Sequence, residues 1–498
     1  MNLASPNSVA LRRAHFLLLA FFFTTLLLGI LADNRWIFGP AITEDGDFAA
    51  NSLLVTEAKH LSLVTGNYSK FHFNHPGPFY LYVQAAGEAF FHDLLGITKS
   101  PYQAQLLAIF ILNAASYTIA LYLLFIAAGW RSLTPLLLGW SAFLATAHSA
   151  TPAPILGWAS ISSTWMPCMY VASFALFLTS AFAFARGISW STPLVLFSGG
   201  ALVHGHVSFA AIVPALAGYA MFERFLHTRA AQTPLLPARR EILTSLFILM
   251  FFLAPIVYHT LAHYPGEFGH YLSYKAPEIP ERGLIGAFRF ALRFLGWDSL
   301  FFGAIFMIMA VALRATWRKG DNLAPWLRIL CAAFFIAFLY AWKSIDSYAD
   351  DYTLQYLSVI PMFLVASIVA RIADRATSEV SWSTWALAIP VALLFASLGN
   401  PYRGSEEVAA GTQQLRAMSK TIGTGKAIGL DFEQQDWPYA IGLLATAKRE
   451  HLPVCSSNPE WSFIATIAMT CQHQPGSIAI VAIASGGKRT LVEKGLHK

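Results

Sequence analysis

The sequence predicts an α-helical polytopic membrane protein of about eleven transmembrane helices, followed by a small C-terminal α/β extramembrane domain. Hydrophobic residues make up 56% of the 498 residues and charged residues only 12%, whereas a soluble domain carries about 25% charged residues. Apolar runs recur along the first 400 residues, as expected of a chain that crosses a bilayer repeatedly. Beyond Asn400 short helix-like and strand-like segments alternate instead, which favours an α/β domain.

The first apolar run covers residues 16–32 and follows Arg12 and Arg13. A basic start and an apolar core are also typical of a cleaved signal peptide. The run is long for a signal core, and Ile30 does not suit the position two residues before a cut after Ala32. We expect a first membrane span with its N terminus inside, and a signal peptide is the alternative.

Ten further apolar runs complete the predicted set. Several are shorter than the ~20 residues of a straight span, so their ends must extend into the flanking residues. The segment His204-Gly205-His206 either separates two short spans or interrupts one. The runs cover residues 104–127, 133–147, 166–185, 193–203, 207–221, 242–257, 300–313, 329–340, 354–369 and 385–398.

Charge placement supports the eleven-span topology. With eleven spans every inner connection contains arginine, as the positive-inside rule expects. Removing one span would invert each later loop and destroy this separation. The inner connections carry Arg131, Arg186, Arg224, Arg229, Arg239, Arg240, Arg314, Arg318, Lys319, Arg371 and Arg375.

Two amphipathic stretches fit the outer membrane surface better than its interior. Residues 78–91 are apolar and aromatic but contain Gln84 and Glu88, and residues 288–295 contain Arg289 and Arg293. Interfacial helices combine such polar and apolar faces.

We place a membrane module at residues 1–399, with an outer loop at 33–100, and an outer α/β domain at 400–498. Strands are predicted at 427–432, 453–456 and 477–484, and helices at 459–470 and at 436–451, the latter with Asp436 as N-cap. Cys455 and Cys471 can pair if this tail lies in an oxidising compartment.

The outer loop opens with three carboxylates, Glu44, Asp45 and Asp47. Ionisable residues beside a membrane span are candidates for a functional site. A carboxylate here can act as a general base towards an acceptor hydroxyl, and neighbouring carboxylates shift each other's pKa. A solvated acidic loop or a cation site is the alternative.

A second cluster, the segment 70–78 with the sequence KFHFNHPGP, follows the acidic loop. Lys70, His72 and His75 can meet a phosphate, while the Pro-Gly-Pro segment fixes the backbone beside them. An interfacial turn with aromatic anchors explains the same residues without a ligand.

Four later residues complete the candidate set for donor phosphate or sugar. His204 and His206 have a spacing that a metal can use, but a satisfied buried pair is the alternative, and no metal site is predicted. Lys343 can bind a lipid phosphate as a point charge or extend its ammonium towards the interface. Tyr352 lies in the same outer segment.

The order of first span, acidic loop, amphipathic run, His-Pro turn and surface helix resembles the GT-C superfamily of polyprenyl-phosphate-sugar glycosyltransferases. Protein O-mannosyltransferases and lipid A aminoarabinose transferases are the nearest families. Asp45-Gly46-Asp47-Phe48-Ala49-Ala50 matches their acidic motif and Asn74-His75-Pro76-Gly77-Pro78 their turn.

The resemblance implies an eleven-span core, outer surface helices and often an outer C-terminal domain. It makes Asp45 the best match to the catalytic aspartate, with Asp47 second, and places His75 near the donor phosphate and His204 near a later basic turn. The sequence departs from the family pattern because Gly46 stands where the family usually has glutamate, and Gly77 separates the prolines. The choice among Glu44, Asp45 and Asp47 therefore stays open.

We expect an inverting hexosyl or pentosyl transferase that moves a sugar from a polyprenyl-phosphate donor to a cell-envelope glycan, lipid or protein. The site would face the periplasm of a bacterial inner membrane; the sequon at Asn67 also admits a lumenal setting. No cofactor is required, a divalent cation is left open, and nucleic acid is not an expected partner. The alternatives are a transporter or flippase of lipid-linked substrates and a non-catalytic assembly protein.

Overall fold

The computed structural model divides the chain into two compact units, each built from three segments. It describes residues 6–129, 138–139, 162–232, 234–275, 283–295, 323–350, 352–376, 403–422, 426–466, 469–473, 477–486 and 488–497. The first unit comprises Met1–Asn34, Phe110–Ala254 and Ser273–Pro401, and the second comprises Arg35–Ile109, Pro255–Leu272 and Tyr402–Lys498. The predicted boundary at residue 400 adjoins the start of the last of these segments.

The described chain is mostly helical, with one small sheet. In chain order the helices are α1 (Pro6–Asp33), α2 (Gly46–Lys59), α3 (Phe79–Gly87), α4 (Pro101–Ala128), α5 (Met166–Ala185), α6 (Ser191–Gly205), α7 (Phe209–Ala231), α8 (Arg239–Ala262), α9 (Glu267–Ser273), α10 (Leu284–Arg293), α11 (Ala324–Ser344), α12 (Val359–Ala376), α13 (Glu406–Ile422), α14 (Trp437–Arg449) and α15 (Ser462–Ala465). The strands are β1 (Lys426–Asp431), β2 (Val454–Ser456), β3 (Ser477–Gly486) and β4 (Lys488–His497).

Seven of the described helices are long and apolar enough to cross a membrane, which confirms the predicted class of integral membrane protein. They are His15–Asp33, Pro101–Ala128, Met166–Ala185, Phe209–Ala231, Arg239–Ala262, Ala324–Ser344 and Gln355–Ile372. The predicted spans at 300–313 and 385–398, and nearly all of 133–147, lie outside the described residues. The total of eleven spans therefore stays a prediction.

Helix α5 is the centre of packing in the first unit. All of its residues except Pro167 are buried. The neighbouring α6 packs closely against α7 and α8, because it carries two adjacent glycines. A Cβ at Gly199 would lie 2.8 Å from Val213, and one at Gly200 would lie 2.4 Å from the ring of Phe252. Small residues at such positions allow helices in membranes to pack backbone to backbone.

The interruption predicted at His204-Gly205-His206 is present. Helix α6 ends at Gly205 and α7 begins at Phe209. Further along α7, Arg328 of α11 donates from Nε and Nη2 to the two carboxylate oxygens of Glu223, at 2.6 Å each. Such two-point pairs fix orientation as well as distance.

The amphipathic stretch predicted at 78–91 is present as α3, which continues into a π-helical turn at Glu88–Leu94. Its small residues allow a close approach to α4, since a Cβ at Gly87 would lie 2.4 Å from the Cβ of Ala108. Glu88 is only 4% exposed. The second predicted amphipathic helix appears as α10.

The C-terminal segment forms a four-stranded sheet in the order β2-β1-β3-β4. Strand β1 pairs in parallel with β2 and β3, and β4 pairs antiparallel with β3. The strands predicted at 427–432, 453–456 and 477–484 correspond to β1, β2 and β3. Strand β4 and helix α13 were not predicted from the sequence.

Two local predictions for this segment need correction. The helix predicted over 459–470 is limited to a 3-10 turn at Pro459–Trp461 and the four residues of α15. Thr466, with φ 66°, ends it. Asp436 precedes α14 but makes no capping hydrogen bond. Its Oδ1 instead accepts a hydrogen bond from Arg489 Nε at 2.8 Å, because the β3–β4 hairpin brings that guanidinium alongside.

Cys455 and Cys471 form a disulfide that links β2 to a later turn, over 16 residues of sequence. Cys168 and Cys331 are free thiols. The bond closes a short loop within the sheet region and restricts the unfolded chain.

Replacing Cys455 and Cys471 together by serine is expected to destabilise the C-terminal segment by about 3 kcal/mol, the chain-entropy value for a loop of this size. Thermal unfolding of the purified protein measures the change. Cys331→Ser is the matched control and should unfold like the wild type. Equal unfolding temperatures for all three proteins would contradict a stabilising bond.

Candidate active site

The acidic loop leads directly into α2. Helix α2 begins at Gly46, and Asp45 occupies the N-cap position in an extended conformation, with φ −132° and ψ 180°. Gly46 has φ +50°, a left-handed conformation that glycine adopts without strain. The side chains of Asp45 and Asp47 are half-buried. Negative charge is favoured at this end of a helix by the helix dipole.

Glu44 has a different environment from the two aspartates that follow it. Its side chain is 1% exposed, and its Oε1 lies 2.5 Å from Nη2 of Arg449 at the end of α14. Burial by itself would lower the pKa of Arg449, but the charge of Glu44, its hydrogen bond to the guanidinium and the charge of Glu88 together outweigh burial, so the pKa is raised. Glu44 and Arg449 therefore form a buried ion pair.

Backbone contacts hold the same loop in place. The Ser405 N–H donates to the Thr43 carbonyl at 2.6 Å. A Cβ at Gly404 would lie 2.8 Å from that carbonyl, and a Cβ at Gly442 would lie 2.8 Å from the Glu44 carbonyl. The C-terminal segment thus approaches the acidic loop at backbone distance.

Helix α2 and helix α14 pack along their length. Ala49, Ala50 and Leu53 share one buried apolar cluster with Ile441 and Leu444. At the far end Lys448 Nζ donates to Glu57 Oε1 at 3.1 Å. These contacts make the acidic loop, α2 and α14 parts of one structural element.

On its other side α2 is tied to α3 and α4 through charged and polar groups. Lys59 Nζ lies 2.8 Å from Glu88 Oε1 and 2.6 Å from Asp93 Oδ2. Gln105 of α4 donates to the second oxygen of Glu88 at 2.9 Å. Burial by itself would lower the pKa of Lys59. The hydrogen bonds to Asp93 and Glu88, together with the charges of these two residues, outweigh burial, so the pKa is raised.

The predicted phosphate-binding segment is a small hairpin. The Gly66 N–H donates to the His75 carbonyl at 2.8 Å, and the His75 N–H donates to the Asn67 carbonyl at 2.9 Å. Lys70 and His72 lie at the exposed tip, whereas the His75 side chain is buried. His72 has φ 59°. The hairpin therefore presents Lys70 and His72, but not His75, to solvent.

Contacts with three side chains fix this hairpin. The Tyr68 hydroxyl donates to Asp47 Oδ1, which joins the hairpin to the acidic motif. Glu267 of α9 accepts from both the backbone N–H and the side-chain amide of Asn74, at 3.0 and 3.1 Å. The Tyr271 hydroxyl donates to the Asn74 carbonyl, and burial raises the pKa of Tyr271.

The other predicted site residues belong to the first unit. The His204 ring is buried and its Nε2 donates to the Phe252 carbonyl at 2.6 Å. His206 Nδ1 accepts from the Ser208 N–H at 3.2 Å. Lys343 is exposed, with its Nζ 3.7 Å from the ring centre of Trp342. The Tyr352 ring packs edge to face on Trp165, 5.3 Å between centres.

The second unit thus brings together Glu44, Asp45, Asp47 and the 66–75 hairpin. Sequence reasoning missed Arg449, Lys59, Asn74 and Glu267 as partners of these residues. Charged residues that face each other across α2 and α14 can be recognised as partners only once the packing of these two helices is known.

In the part of the chain that the structure describes, no group of three or more His, Cys, Asp or Glu side chains is placed to hold a metal ion.

The fold is similar to that of a membrane protein of known structure. ArnT from Cupriavidus metallidurans, crystallised with undecaprenyl phosphate, aligns over 95% of this chain and 97% of its own, with a TM-score of 0.57 and 12% sequence identity. The polytopic helical membrane fold expected from the sequence is thereby confirmed.

Two archaeal structures align less closely. The Archaeoglobus fulgidus oligosaccharyltransferase in its apo form covers 94% of this chain and 69% of its own, with 9% identity and a TM-score of 0.48. AglB from the same organism, in complex with an inhibitory peptide and a dolichol-phosphate, covers 93% and 69%, with 12% identity and a TM-score of 0.42. No protein-family model and no curated protein matches the sequence.

The buried ion pair makes a direct prediction. Arg449→Met removes the cation and leaves Glu44 buried without its partner, which is expected to destabilise the protein by about 3 to 5 kcal/mol. Thermal unfolding, or the yield of monodisperse protein after extraction, measures the loss.

The double variant Glu44→Gln/Arg449→Met is the control, because it removes both charges and keeps similar volumes. It should recover most of the lost stability. A double variant as unstable as Arg449→Met alone would show that the arginine acts through packing and not through charge.

Proposed function

We propose that this protein is an inverting glycosyltransferase that moves a sugar from a polyprenyl-phosphate donor to a hydroxyl-bearing acceptor. The observation that carries the proposal is the pair Asp45 and Asp47, half-buried at the start of α2, in a chain with the fold of ArnT. A donor of this kind arrives already activated, so the chain needs no nucleotide-binding loop.

The contacts of the three carboxylates support different tasks for them. Glu44 is held by Arg449 in a buried ion pair and serves the fold. Asp47 accepts a hydrogen bond from Tyr68, so one of its carboxylate oxygens is already engaged. Asp45 occupies the N-cap position, but its carboxylate makes no capping hydrogen bond to the helix. We therefore assign the general base to Asp45 and a supporting role to Asp47.

In the proposed step the oxygen of the acceptor hydroxyl attacks the anomeric carbon of the donor sugar. A new carbon–oxygen bond forms on one face while the bond to the phosphate oxygen breaks on the other, so the configuration inverts. The leaving polyprenyl phosphate takes the electron pair of the broken bond. Asp45 receives the hydroxyl proton, which is general base catalysis.

Negative charge develops on the phosphate as it leaves, and cations placed near it stabilise the transition state. Lys70 and His72, at the exposed tip of the hairpin, are the proposed source of positive charge. His75 is buried beside Phe73, with 5.8 Å between ring centres, and its proposed role is to shape the turn that presents the hairpin.

We propose that the site faces the periplasm of a bacterial inner membrane. The distribution of arginine among the predicted loops supports this orientation. The disulfide between Cys455 and Cys471 also supports it, because disulfides persist in oxidising compartments. The proposed acceptor is a cell-envelope glycan, lipid or protein.

The test compares donor turnover by the wild type and by Asp45→Asn in lipid nanodiscs, with a panel of synthetic short-chain polyprenyl-phosphate sugars. Asparagine is as good an N-cap residue as aspartate, so α2 should remain intact. Loss of the base is expected to lower the turnover number about 100-fold to 10,000-fold. Release of polyprenyl phosphate, followed by mass spectrometry, gives the rate.

Glu493→Gln is the matched control, since it neutralises an exposed carboxylate of the same unit, and it should turn over donor like the wild type. Asp47→Asn is expected to show a smaller loss than Asp45→Asn. Full activity of Asp45→Asn would overturn the assignment of the base. A wild type that releases no polyprenyl phosphate from any donor would argue against the reaction itself.

A further inference from the structure

A row of aromatic side chains lies in the second unit. The rings of Trp437 and Trp461 are within 16° of parallel with centres 6.4 Å apart, and those of Trp461 and Phe463 are within 18° with centres 6.2 Å apart. Near-parallel rings at these distances are offset-stacked, so neighbouring rings overlap only in part. All three side chains are half-buried.

The row has a rigid base. Phe432 is buried behind Trp461, with ring centres 5.4 Å apart. The turn that carries Trp461 is fixed by Asn458, whose side chain accepts from the Glu460 N–H at 2.9 Å. Trp437 follows Asp436, which is bonded to Arg489. One side of the row is thus packed on the core of the unit.

Both ends of the row adjoin the acidic motif. At one end the indole of Trp437 would lie 3.7 Å from a Cβ built on Gly46. At the other end the ring of Phe463 packs against Tyr68, 6.0 Å between centres, and Tyr68 donates to Asp47. The exposed His72 ring also lies against Phe463, 4.3 Å between centres.

We propose that Trp437, Trp461 and Phe463 form the floor of a saccharide-binding subsite beside Asp45 and Asp47. A pyranose ring has an apolar C–H face, which matches a flat aromatic surface, and a rim of hydroxyls, which match carboxylate acceptors.

The inference deepens the proposed glycosyl transfer and rests on it for the source of the sugar. Both the donor and a glycan acceptor contain a sugar ring, so the same stacking chemistry can serve either. Kinetics distinguish them, because a variant that weakens the subsite raises the KM for the substrate whose ring occupies it.

The first measurement is binding. Saturation-transfer NMR detects methyl α-mannopyranoside and methyl β-glucopyranoside on the protein in nanodiscs, free of maltoside detergents that would compete for the subsite. Saturation should reach the C–H protons of the sugar ring in the wild type. Trp461→Ala is expected to weaken binding about tenfold, the effect of one lost aromatic contact, whereas Trp461→Phe should retain most of it.

Trp190→Ala is the matched control, since Trp190 is a partly exposed tryptophan of the first unit. It should bind like the wild type. Thermal unfolding confirms that Trp461→Ala is folded. Wild-type binding in a folded Trp461→Ala protein, or no saturation of either glycoside by the wild type, would overturn the proposal.

The second measurement compares donor hydrolysis without acceptor and transfer to the methyl glycoside. A higher acceptor KM with unchanged hydrolysis places the acceptor sugar on the row, and a higher donor KM in both assays places the donor sugar there. Unchanged KM values for both substrates would overturn the subsite. Glycoside binding that depends on Trp461 in a protein that transfers no sugar would overturn the glycosyltransferase and leave the subsite standing.

Discussion

The buried contact between Glu44 and Arg449 determines how the second unit is built. A carboxylate with 1% exposure is tolerated only with a cation beside it, so the acidic loop has to lie where α14 ends. Gly442 and Gly404 then let the backbones meet. The two adjacent acidic residues therefore have different structural roles: Glu44 anchors the loop, whereas Asp45 occupies the N-cap position of α2.

The membrane part of the fold could be predicted from the sequence, because a bilayer requires long apolar helices and permits few other backbone structures. The C-terminal segment could be predicted only in part. The apolar strands β1 and β3 stand out, but β4 contains Arg489 and Glu493, and its strand character comes from pairing with β3. The predicted helix after Pro459 was too long, because its apolar run does not reveal the turn at Thr466.

For the candidate site, the sequence identified the acidic motif and the hairpin but not what holds them. Glu267 reaches Asn74 from nearly 200 residues away, and Arg449 reaches Glu44 from about 400. Contacts over such separations leave no local pattern. The aromatic row was also missed from the sequence, because its contacts with the acidic motif span equally large separations. In addition, half-buried tryptophans are common at the edges of cores, and only the angles between their rings suggest a surface for a ligand.

The second unit is assembled from three segments that are synthesised far apart in time. Glu44 leaves the ribosome about 400 residues before Arg449, which is about 20 to 80 s at ordinary elongation rates. During that interval the acidic loop has no partner from α14, while the spans between them are inserted. The candidate active site is therefore completed last, and a nascent chain stalled before α14 carries the acidic motif without the structure that organises it.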